Sequence, residues 1–238
     1  MNFKVIMMGA AAVAVLASCQ PKGRTVGKLA NQVDSTSYAI GVLIGENQKQ
    51  NIDNTPGAKE LNMDILIAAF EQQVKGEETA MTSEDARKMV QTYFQSMEKK
   101  VADENLKKGE DFLATNKAKA GVVTTESGLQ YEVITEGTGA KPTADQTVKC
   151  HYTGTLLDGK VFDSSVERNE PATFPVSGVI PGWTEALQLM PVGSKWKLYI
   201  PAALAYGERG AGGDIGPNET LTFEVELLEI VDPSAAAK

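Results

Sequence analysis

The sequence predicts an α+β protein in which an all-helical N-terminal region, ending in a long connecting helix, precedes an antiparallel sheet wrapped around one short helix. Two observations predict this arrangement. From residue 34 to residue 116 the apolar residues recur every three or four positions, which is typical of amphipathic helices. After Gly121 they alternate with polar residues, which is typical of strands. The 238 residues, 42% of them hydrophobic, suffice for two folding units.

The N-terminus carries the pattern of an export signal. Lys4 precedes an apolar run from Val5 to Leu16. This run is shorter than the roughly 20 residues of a membrane span, but it suits the core of a signal peptide. It leads into Leu16-Ala17-Ser18-Cys19, which resembles the bacterial lipobox, whose cysteine becomes the acylated first residue of a mature lipoprotein. An ordinary signal peptide cleaved at these small residues is the alternative.

These patterns divide the chain into five segments. We expect a lipoprotein signal peptide at 1–18, a tether at 19–33, a helical region at 34–118, the sheet domain at 119–232 and a tail at 233–238. Gln20 rather than aspartate follows Cys19. By resemblance to the sorting rule of double-membraned bacteria, this favours the outer membrane, facing the periplasm or the outside. Acylation of Cys19 would leave Cys150 without a partner, so no disulfide is expected.

Charge limits the partners of the chain. The formal net charge is -8 at pH 7. Non-specific affinity for nucleic acid comes from a basic surface, which this composition does not provide. We therefore expect no nucleic acid as a partner, and anionic lipid surfaces are disfavoured for the same reason.

Three helices are predicted before the sheet. The first carries Gly41 and Gly45 on a face of small residues that would allow another helix to approach closely. The second is expected to end near Gly76. The third begins at a capping box formed by Thr82 and Asp85, in which the threonine side chain caps the helix.

The third helix is predicted to be unusually long. If it continues to about Lys117, it would extend about 50 Å at 1.5 Å per residue. Gly109 is expected to weaken its far end. Helices of such unequal length leave apolar faces that a second copy could cover, so we expect a homodimer through residues 34–118. A monomeric helical cap folded onto the next domain is the alternative.

The second half of the chain has the alternation of strands. Leu129, Tyr131 and Val133 alternate with polar residues, and the residues from Val148 to Leu156 place every second side chain on one apolar face. Asp158-Gly159 predicts a two-residue hairpin turn. A short amphipathic helix follows Pro181-Gly182 and is expected to end at Pro191.

The one histidine of the chain is not expected to act as a base. His151 lies on the face of its strand opposite Tyr152. A histidine there cannot activate a group on the Tyr152 face, so we interpret it as a surface or loop-packing residue. Ser164 and Ser165 then have no base and are interpreted as turn residues.

Five motifs in this half resemble the FKBP-type peptidyl-prolyl cis-trans isomerases, and they occur in the order of that family. They are residues 148–154, Gly159-Lys160-Val161-Phe162-Asp163-Ser164-Ser165, Val179-Ile180-Pro181-Gly182-Trp183, Ala205-Tyr206-Gly207 and Gly216-Pro217-Asn218-Glu219-Thr220-Leu221. The helical region and the lipobox narrow the resemblance to the branch of the macrophage infectivity potentiator and the FkpA-like periplasmic isomerases, which are V-shaped dimers joined through N-terminal helices.

This resemblance implies an isomerase that assists the folding of exported proteins by binding unfolded or loop X-Pro segments in an apolar pocket, without cofactor or metal. Rotation about an X-Pro bond has a barrier of about 18–20 kcal/mol because amide resonance must be broken, yet no proton need move. A dry cavity complementary to the twisted amide therefore suffices. The alternative is a holdase chaperone or adhesin that binds in the pocket and in the cleft of the dimer without turnover.

The resemblance also implies the site residues. The expected catalytic set is Asp163, Tyr206, Phe162 and Ile180. The expected substrate-binding set is Tyr152, Val179, Trp183, Phe223, Ile215 and Arg168. In this scheme Trp183 is the floor, Tyr206 and the N–H group of Ile180 donate to substrate carbonyls, and Arg168 orients Asp163.

Two of these residues also have ordinary structural interpretations. Taken singly, Asp163 could merely cap a turn and Trp183 could be ordinary core. The sequence also departs from the family at the rim of the pocket. Ala172 and Ala211 stand where other members have an aromatic residue and a histidine. This difference is expected to affect macrolide binding more than isomerisation.

Overall fold

The computed structural model describes residues 27–231, so the predicted signal peptide, Cys19 and the C-terminal tail lie outside the described residues. These described residues form two compact units, which divide between Gln50 and Asn51. Within the described range, none of the helices combines the length and the apolar character needed to cross a membrane.

Between residue 27 and the sheet the structure has three α-helices, as predicted. They are α1 (Gln32–Asn54), α2 (Met63–Lys75) and α3 (Ser83–Asn116). The side chain of Thr82 accepts a hydrogen bond from the N–H group of Asp85 at 3.1 Å and so caps α3. Gly76 ends α2 in a left-handed conformation, with φ of 69°. With 34 residues, α3 is about 50 Å long.

Helices α1 and α2 bury none of their residues. Their exposed large apolar side chains include Tyr38, Ile40, Leu43, Ile65, Ile67 and Phe70. A helix normally places its apolar side against another part of the molecule, because packing of that face supplies most of its stability. Each of these helices therefore presents an apolar surface that is exposed among the described residues.

In the described part of the chain the sheet has seven strands, and all of their pairs are antiparallel. The strands are β1 (Val122–Thr124), β2 (Gln130–Thr135), β3 (Thr147–Leu156), β4 (Val161–Ser164), β5 (Ala172–Pro175), β6 (Lys195–Ile200) and β7 (Leu221–Val231). Their order across the sheet is β1-β2-β6-β7-β3-β4, and β5 also pairs with β3. The two longest strands, β3 and β7, therefore lie side by side near the centre.

One short helix, α4 (Pro181–Leu189), packs on the apolar face of this sheet. Every second residue of β3 from Val148 to Leu156 is buried, as the alternation predicts. Gly182 brings α4 close to β6, since a Cβ at this position would lie 2.5 Å from Cγ2 of Ile200. The helix ends at Leu189, two residues before Pro191, which lies in the turn that leads to β6 and cannot continue the helix.

The predicted two-residue turn at Asp158-Gly159 is wrong. The N–H group of Leu156 donates to the carbonyl of Lys160 at 2.9 Å, so three residues form the loop. Gly159 has φ of 91°, the left-handed conformation that a three-residue hairpin requires at its last position. The side chain of Asp158 accepts from the N–H group of Lys160 at 2.9 Å and stabilises this form.

The alternation predicted for β2 also fails at two residues, since Val133 is 38% exposed and Gln130 is buried. Its Nε2 donates to the carbonyl of Leu113 at 2.9 Å, and its Oε1 accepts from Nδ2 of Asn116 at 3.0 Å. The last turns of α3 therefore cover this side of β2, and they supply the polar partners that a buried amide needs.

Candidate active site

A cavity of about 660 Å³ opens between β3, β4, α4 and the loop that precedes β7. Nine of the ten residues expected for catalysis and substrate binding line it, namely Tyr152, Phe162, Asp163, Val179, Ile180, Trp183, Tyr206, Ile215 and Phe223. The tenth, Arg168, contacts Asp163 and Tyr152 from outside the lining. The expected lipidation residue, Cys19, lies outside the described residues.

The floor of the cavity is a cluster of aromatic rings around Trp183, which is 4% exposed. The rings of Tyr152 and Phe223 meet the indole edge-to-face, each with a centroid distance of 5.3 Å. Phe162 in turn meets Phe223 edge-to-face at 5.4 Å. Such pairs contribute about 0.5–1.5 kcal/mol each beyond the burial of their area, so the cluster is a rigid apolar surface.

The sheet brings these rings together through its register and one glycine. Gly154 of β3 pairs with Phe223 of β7. A Cβ on Gly154 would lie 2.5 Å from the ring of Phe162 and 2.7 Å from the ring of Phe223. The absence of a side chain at this position therefore allows the two rings to meet over the middle of the sheet.

A polar group lies at one edge of the cavity. The hydroxyl of Tyr152 donates to Oδ2 of Asp163, and Nη1 of Arg168 donates to Oδ1 of the same carboxylate. Nη2 of Arg168 also donates to the hydroxyl of Tyr152 at 3.1 Å. Each of the three side chains thus bonds to the other two, which fixes the direction of the carboxylate.

These contacts set the protonation states of the group. Burial acts to raise the pKa of Asp163, but the hydrogen bonds from Tyr152 and Arg168 and the charge of Arg168 outweigh it, and the pKa lies below its ordinary value. Burial, together with the hydrogen bond to Asp163, raises the pKa of Tyr152 above its ordinary value. Asp163 is therefore a carboxylate at neutral pH, and Tyr152 is a neutral phenol.

Two hydrogen-bond donors lie at other points of the lining. The side chain of Tyr206 is 40% exposed at the rim. The carbonyl of Ile180 accepts from the N–H groups of Trp183 and Thr184 at 2.9 and 3.1 Å, as the residue before a helix does. Among residues 27–231, no acceptor receives the N–H group of Ile180 itself.

Five residues of the lining are not among those expected from the sequence. Phe174, Gly178, Gly212 and Asp214 also border the cavity, and so does Ala211, which was singled out only for the rim. Phe174 lies on β5 with its ring 5.8 Å from the rings of both Tyr152 and Trp183. An aromatic wall is therefore present two residues after Ala172. The apolar alternation within Ala172–Pro175 was a signal that could have identified it.

The histidine and the two serines lie away from this chemistry. Nδ1 of His151 is 3.0 Å from Oγ of Ser165, but Ser165 is fully buried and neither residue lines the cavity. Oγ of Ser165 accepts from the N–H group of Tyr152 at 2.8 Å. The interpretation of the serines as turn residues is therefore incomplete, since Ser164 closes β4 and Ser165 holds the backbone of Tyr152.

Within the described residues, no reactive thiol and no metal-binding cluster could take part in catalysis. Burial raises the pKa of Cys150 to about 12, so its thiol is not a nucleophile at neutral pH. No group of three or more His, Cys, Asp or Glu side chains within residues 27–231 could hold a metal ion.

Two family models match the chain. FKBP-type peptidyl-prolyl cis-trans isomerase matches residues 138–228, and the domain amino terminal to FKBP-type peptidyl-prolyl isomerase matches residues 33–133. The outer membrane protein MIP of Legionella longbeachae is 44% identical over 94% of both chains. The FKBP-type peptidyl-prolyl cis-trans isomerase FkpA of Aeromonas hydrophila is 45% identical over 98% of this chain and 97% of the relative.

A solved structure extends the match to the fold. The crystal structure of FkpA from Escherichia coli has a TM-score of 0.66 at 35% identity, covering 84% of this chain and 97% of that one. The chain therefore belongs to the FKBP-type peptidyl-prolyl cis-trans isomerase family, and the resemblance inferred from the five motifs is confirmed. The predicted α+β fold and the isomerase activity are confirmed with it.

The protonation states in the cavity predict a rate that is independent of pH over a broad range. Asp163 has a pKa below 3.8, so it stays ionised and bonded to Arg168 until the pH falls through that lowered value. Tyr152 has a pKa above 10.0, so it keeps its proton until the pH exceeds that value. We expect kcat/KM for an uncharged proline peptide, measured by NMR exchange, to be constant between about pH 5 and about pH 9. A bell-shaped profile in this range would contradict the assignment.

Proposed function

We propose that the cavity is the place where the X-Pro bond rotates, and that the residues lining it have the roles implied by the family resemblance. The observation that carries this proposal is the convergence of nine expected residues, from five parts of the chain, on one apolar hollow. Asp163 and Trp183 belong to one connected group of residues, because Tyr152 contacts both of them. This supports a joint role in the site over separate roles as a turn cap and a core residue.

The rate enhancement comes from the difference in solvation between the planar and the twisted amide. Resonance gives the planar amide a large dipole that water stabilises, and twisting the C–N bond removes much of this dipole. A cavity that excludes water therefore disfavours the planar form relative to the twisted one. The edge-to-face rings around Trp183 provide the dry surface on which the proline ring lies.

The polar groups then hold the substrate in the orientation for rotation. Tyr206 donates to one substrate carbonyl and the N–H group of Ile180 donates to another. This fixes the chain on one side of the proline while the other side turns. Asp163 lies near the rotating bond, and Arg168 with Tyr152 keeps its carboxylate in one direction. No step requires a proton to be transferred.

Substitutions in the lining test these roles. We expect Phe162→Ala and Asp163→Ala to lower kcat/KM at least about tenfold, a loss of ~1.4 kcal/mol in transition-state stabilisation, in a protease-coupled proline assay. Phe94→Ala and Asp145→Ala are matched controls outside the lining, and they should retain the wild-type rate. Unchanged rates in both lining variants would support the alternative, a holdase or adhesin whose pocket binds without turnover.

We further propose that the protein is an outer-membrane lipoprotein, anchored through Cys19, that acts on exported proteins in the periplasm or at the surface. The sequence Leu16-Ala17-Ser18-Cys19 supports this, and so does the similarity to a relative named as an outer membrane protein. In this scheme residues 1–18 are removed, and residues 19–33 connect the lipid to the folded part.

Lipidation can be tested with the two cysteines of the chain. Cells fed a labelled fatty acid should incorporate the label into the wild-type protein and into the Cys150→Ala variant, but not into Cys19→Ser. The buried thiol of Cys150 makes it a suitable control, because it cannot be acylated in the folded protein. A cleaved but unlabelled wild-type protein would indicate the ordinary signal peptide.

We also propose a homodimer formed through the helical region, residues 34–118, with the isomerase domain at residues 119–232. The exposed apolar side chains of α1 and α2 support it, because a soluble monomer rarely leaves such surfaces uncovered. A second copy presents the same surfaces and can therefore cover them in a closed, symmetric pair.

Light scattering on the mature chain tests the dimer. The wild type is expected to have twice the mass of one chain. Leu43, which is 64% exposed on α1, is expected to be a contact, so Leu43→Glu should shift the protein to the mass of a monomer. Gln48→Glu introduces the same charge at a polar position of α1 and should leave the mass unchanged. A monomeric wild type would exclude the dimer.

A further inference from the structure

One wall of the cavity is a loop without a strand or an α-helix, residues 210–219, and we call it the wall loop. Ala211, Gly212, Asp214 and Ile215 of this loop line the cavity. Ala211 and Ile215 exchange backbone hydrogen bonds at 2.9 and 3.1 Å, so the loop is folded back on itself. Bonds of this kind fix the shape of the loop, but they do not fix its distance from Trp183.

Helix α3 makes two partly buried hydrogen bonds to the wall loop. Nδ2 of Asn105 donates to the carbonyl of Pro217 at 3.0 Å, and Nδ2 of Asn218 donates to the carbonyl of Ala102 at 3.4 Å. Asn105 is 9% exposed, so its hydrogen bond is shielded from competition by water. Asn105 itself does not line the cavity.

The face of α3 that carries Asn105 also lies directly against the end of the wall loop. A Cβ on Gly109 would lie 2.2 Å from Oγ1 of Thr220, the residue that joins the loop to β7. The sequence predicts only that Gly109 weakens the helix. The structure gives it a second role, because only glycine allows α3 to lie this close to Thr220. The buried residues of α3 are Asn105, Gly109 and Asn116, whose spacing of four and seven places them on one side of the helix.

The contact between the wall loop and the turn after β3 is weaker. Nζ of Lys160 is 2.7 Å from Oδ1 of Asp214, but the two side chains are 50% and 61% exposed. Exposed ion pairs contribute little, and salt screens them. The buried hydrogen bond of Asn105 is therefore the stronger of the two contacts in physiological salt.

We propose that Asn105 is a positioning residue for isomerisation, which holds the wall loop, and Ile215 with it, at the correct distance from the aromatic floor. Helix α3 then contributes to substrate binding although none of its residues lines the cavity. This inference rests on the proposed function of the cavity as the isomerase pocket. Without the hydrogen bond, the loop would occupy the binding-competent position for a smaller fraction of the time, and KM would rise in proportion.

The direct test is Asn105→Asp in the full chain. The new carboxylate has nearly the shape of the amide but cannot donate to the carbonyl of Pro217. We expect KM for a proline peptide to rise about three- to tenfold, while kcat changes less than about twofold. The matched control is Asn116→Ala, at the other buried asparagine of α3, which bonds to Gln130 and not to the wall loop. It should lower Tm and leave KM unchanged at temperatures well below Tm.

Salt provides a readout that a merely structural role would not affect. In Asn105→Asp the loop keeps the hydrogen bond from Nδ2 of Asn218 to the carbonyl of Ala102, the bond from the N–H group of Asn218 to the carbonyl of Gly207, and the exposed pair of Lys160 and Asp214. Of these three contacts, the exposed ion pair is the one that salt screens. Raising the salt concentration from about 0.05 M to about 0.5 M should therefore increase KM further in the variant and leave the wild type almost unchanged. An equal response of the two proteins would contradict this part of the inference.

A second pair of variants gives an answer even if Asn105→Asp does not fold. Alanine normally stabilises a helix relative to glycine. In Gly109→Ala, however, the new methyl group would push the helix away from Thr220, and KM should rise. Adding Thr220→Ala removes the nearest clashing atom, Oγ1, and should restore KM towards the wild-type value.

The outcomes separate this inference from the function on which it rests. If Phe162→Ala keeps the full rate, the cavity is not the isomerase pocket. If Phe162→Ala loses activity while Asn105→Asp and Gly109→Ala keep the wild-type KM, only the positioning role is wrong. An equal rise of KM in Asn116→Ala would also overturn it, because the effect would then reflect general loosening of α3.

Discussion

The packing of four aromatic rings around one another in the core is the interaction on which the site depends. Trp183 on α4 is held edge-to-face by rings from β3, β5 and β7, and Gly182 and Gly154 allow the close approaches that this requires. The floor of the cavity is thus part of the hydrophobic core and is as densely packed as the core. Under the proposed function, a surface of this kind would keep its shape while a substrate amide twists over it, so that little reorganisation would oppose the rotation.

The apolar character of this floor also explains the position of the charged groups. A carboxylate inside an apolar hollow would be costly to desolvate, and the structure holds Asp163 at the edge, where Arg168 remains half exposed to water. Tyr152 connects the two regions, because its ring packs against Trp183 and its hydroxyl bonds to Asp163. The polar edge is therefore oriented by the same core that forms the floor, and its charge is balanced by a neighbouring guanidinium.

The elements of the fold could be predicted because their signals are local, whereas the candidate site residues came from the resemblance of the five motifs to the family. The burial of alternate residues in β3 and the capping of α3 by Thr82 follow from short stretches of sequence. The contact between Asn105 and Pro217 joins residues separated by 112 positions, and Asn105 lies within a mostly charged stretch that indicates a solvated helix. The burial of Gln130 could not be predicted because its partners are also distant in the sequence. The end of α3 supplies the hydrogen bonds that make this burial favourable, and it reaches β2 only in the tertiary fold.

The chemistry of the contact between α3 and the sheet domain has a consequence for how the helix is placed. Apolar contacts alone would allow a long helix to slide or rotate at small cost, whereas a buried amide is satisfied in only one register. Asn105 and Asn116 bond to partners at two points of α3, and the ring of Phe112 meets that of Tyr199 between them at 5.6 Å. Two polar anchors about 16 Å apart along the axis, at 1.5 Å per residue, fix both rotation and translation. The far half of α3 is therefore structurally part of the isomerase domain, because displacing it would leave buried amides on both sides without partners.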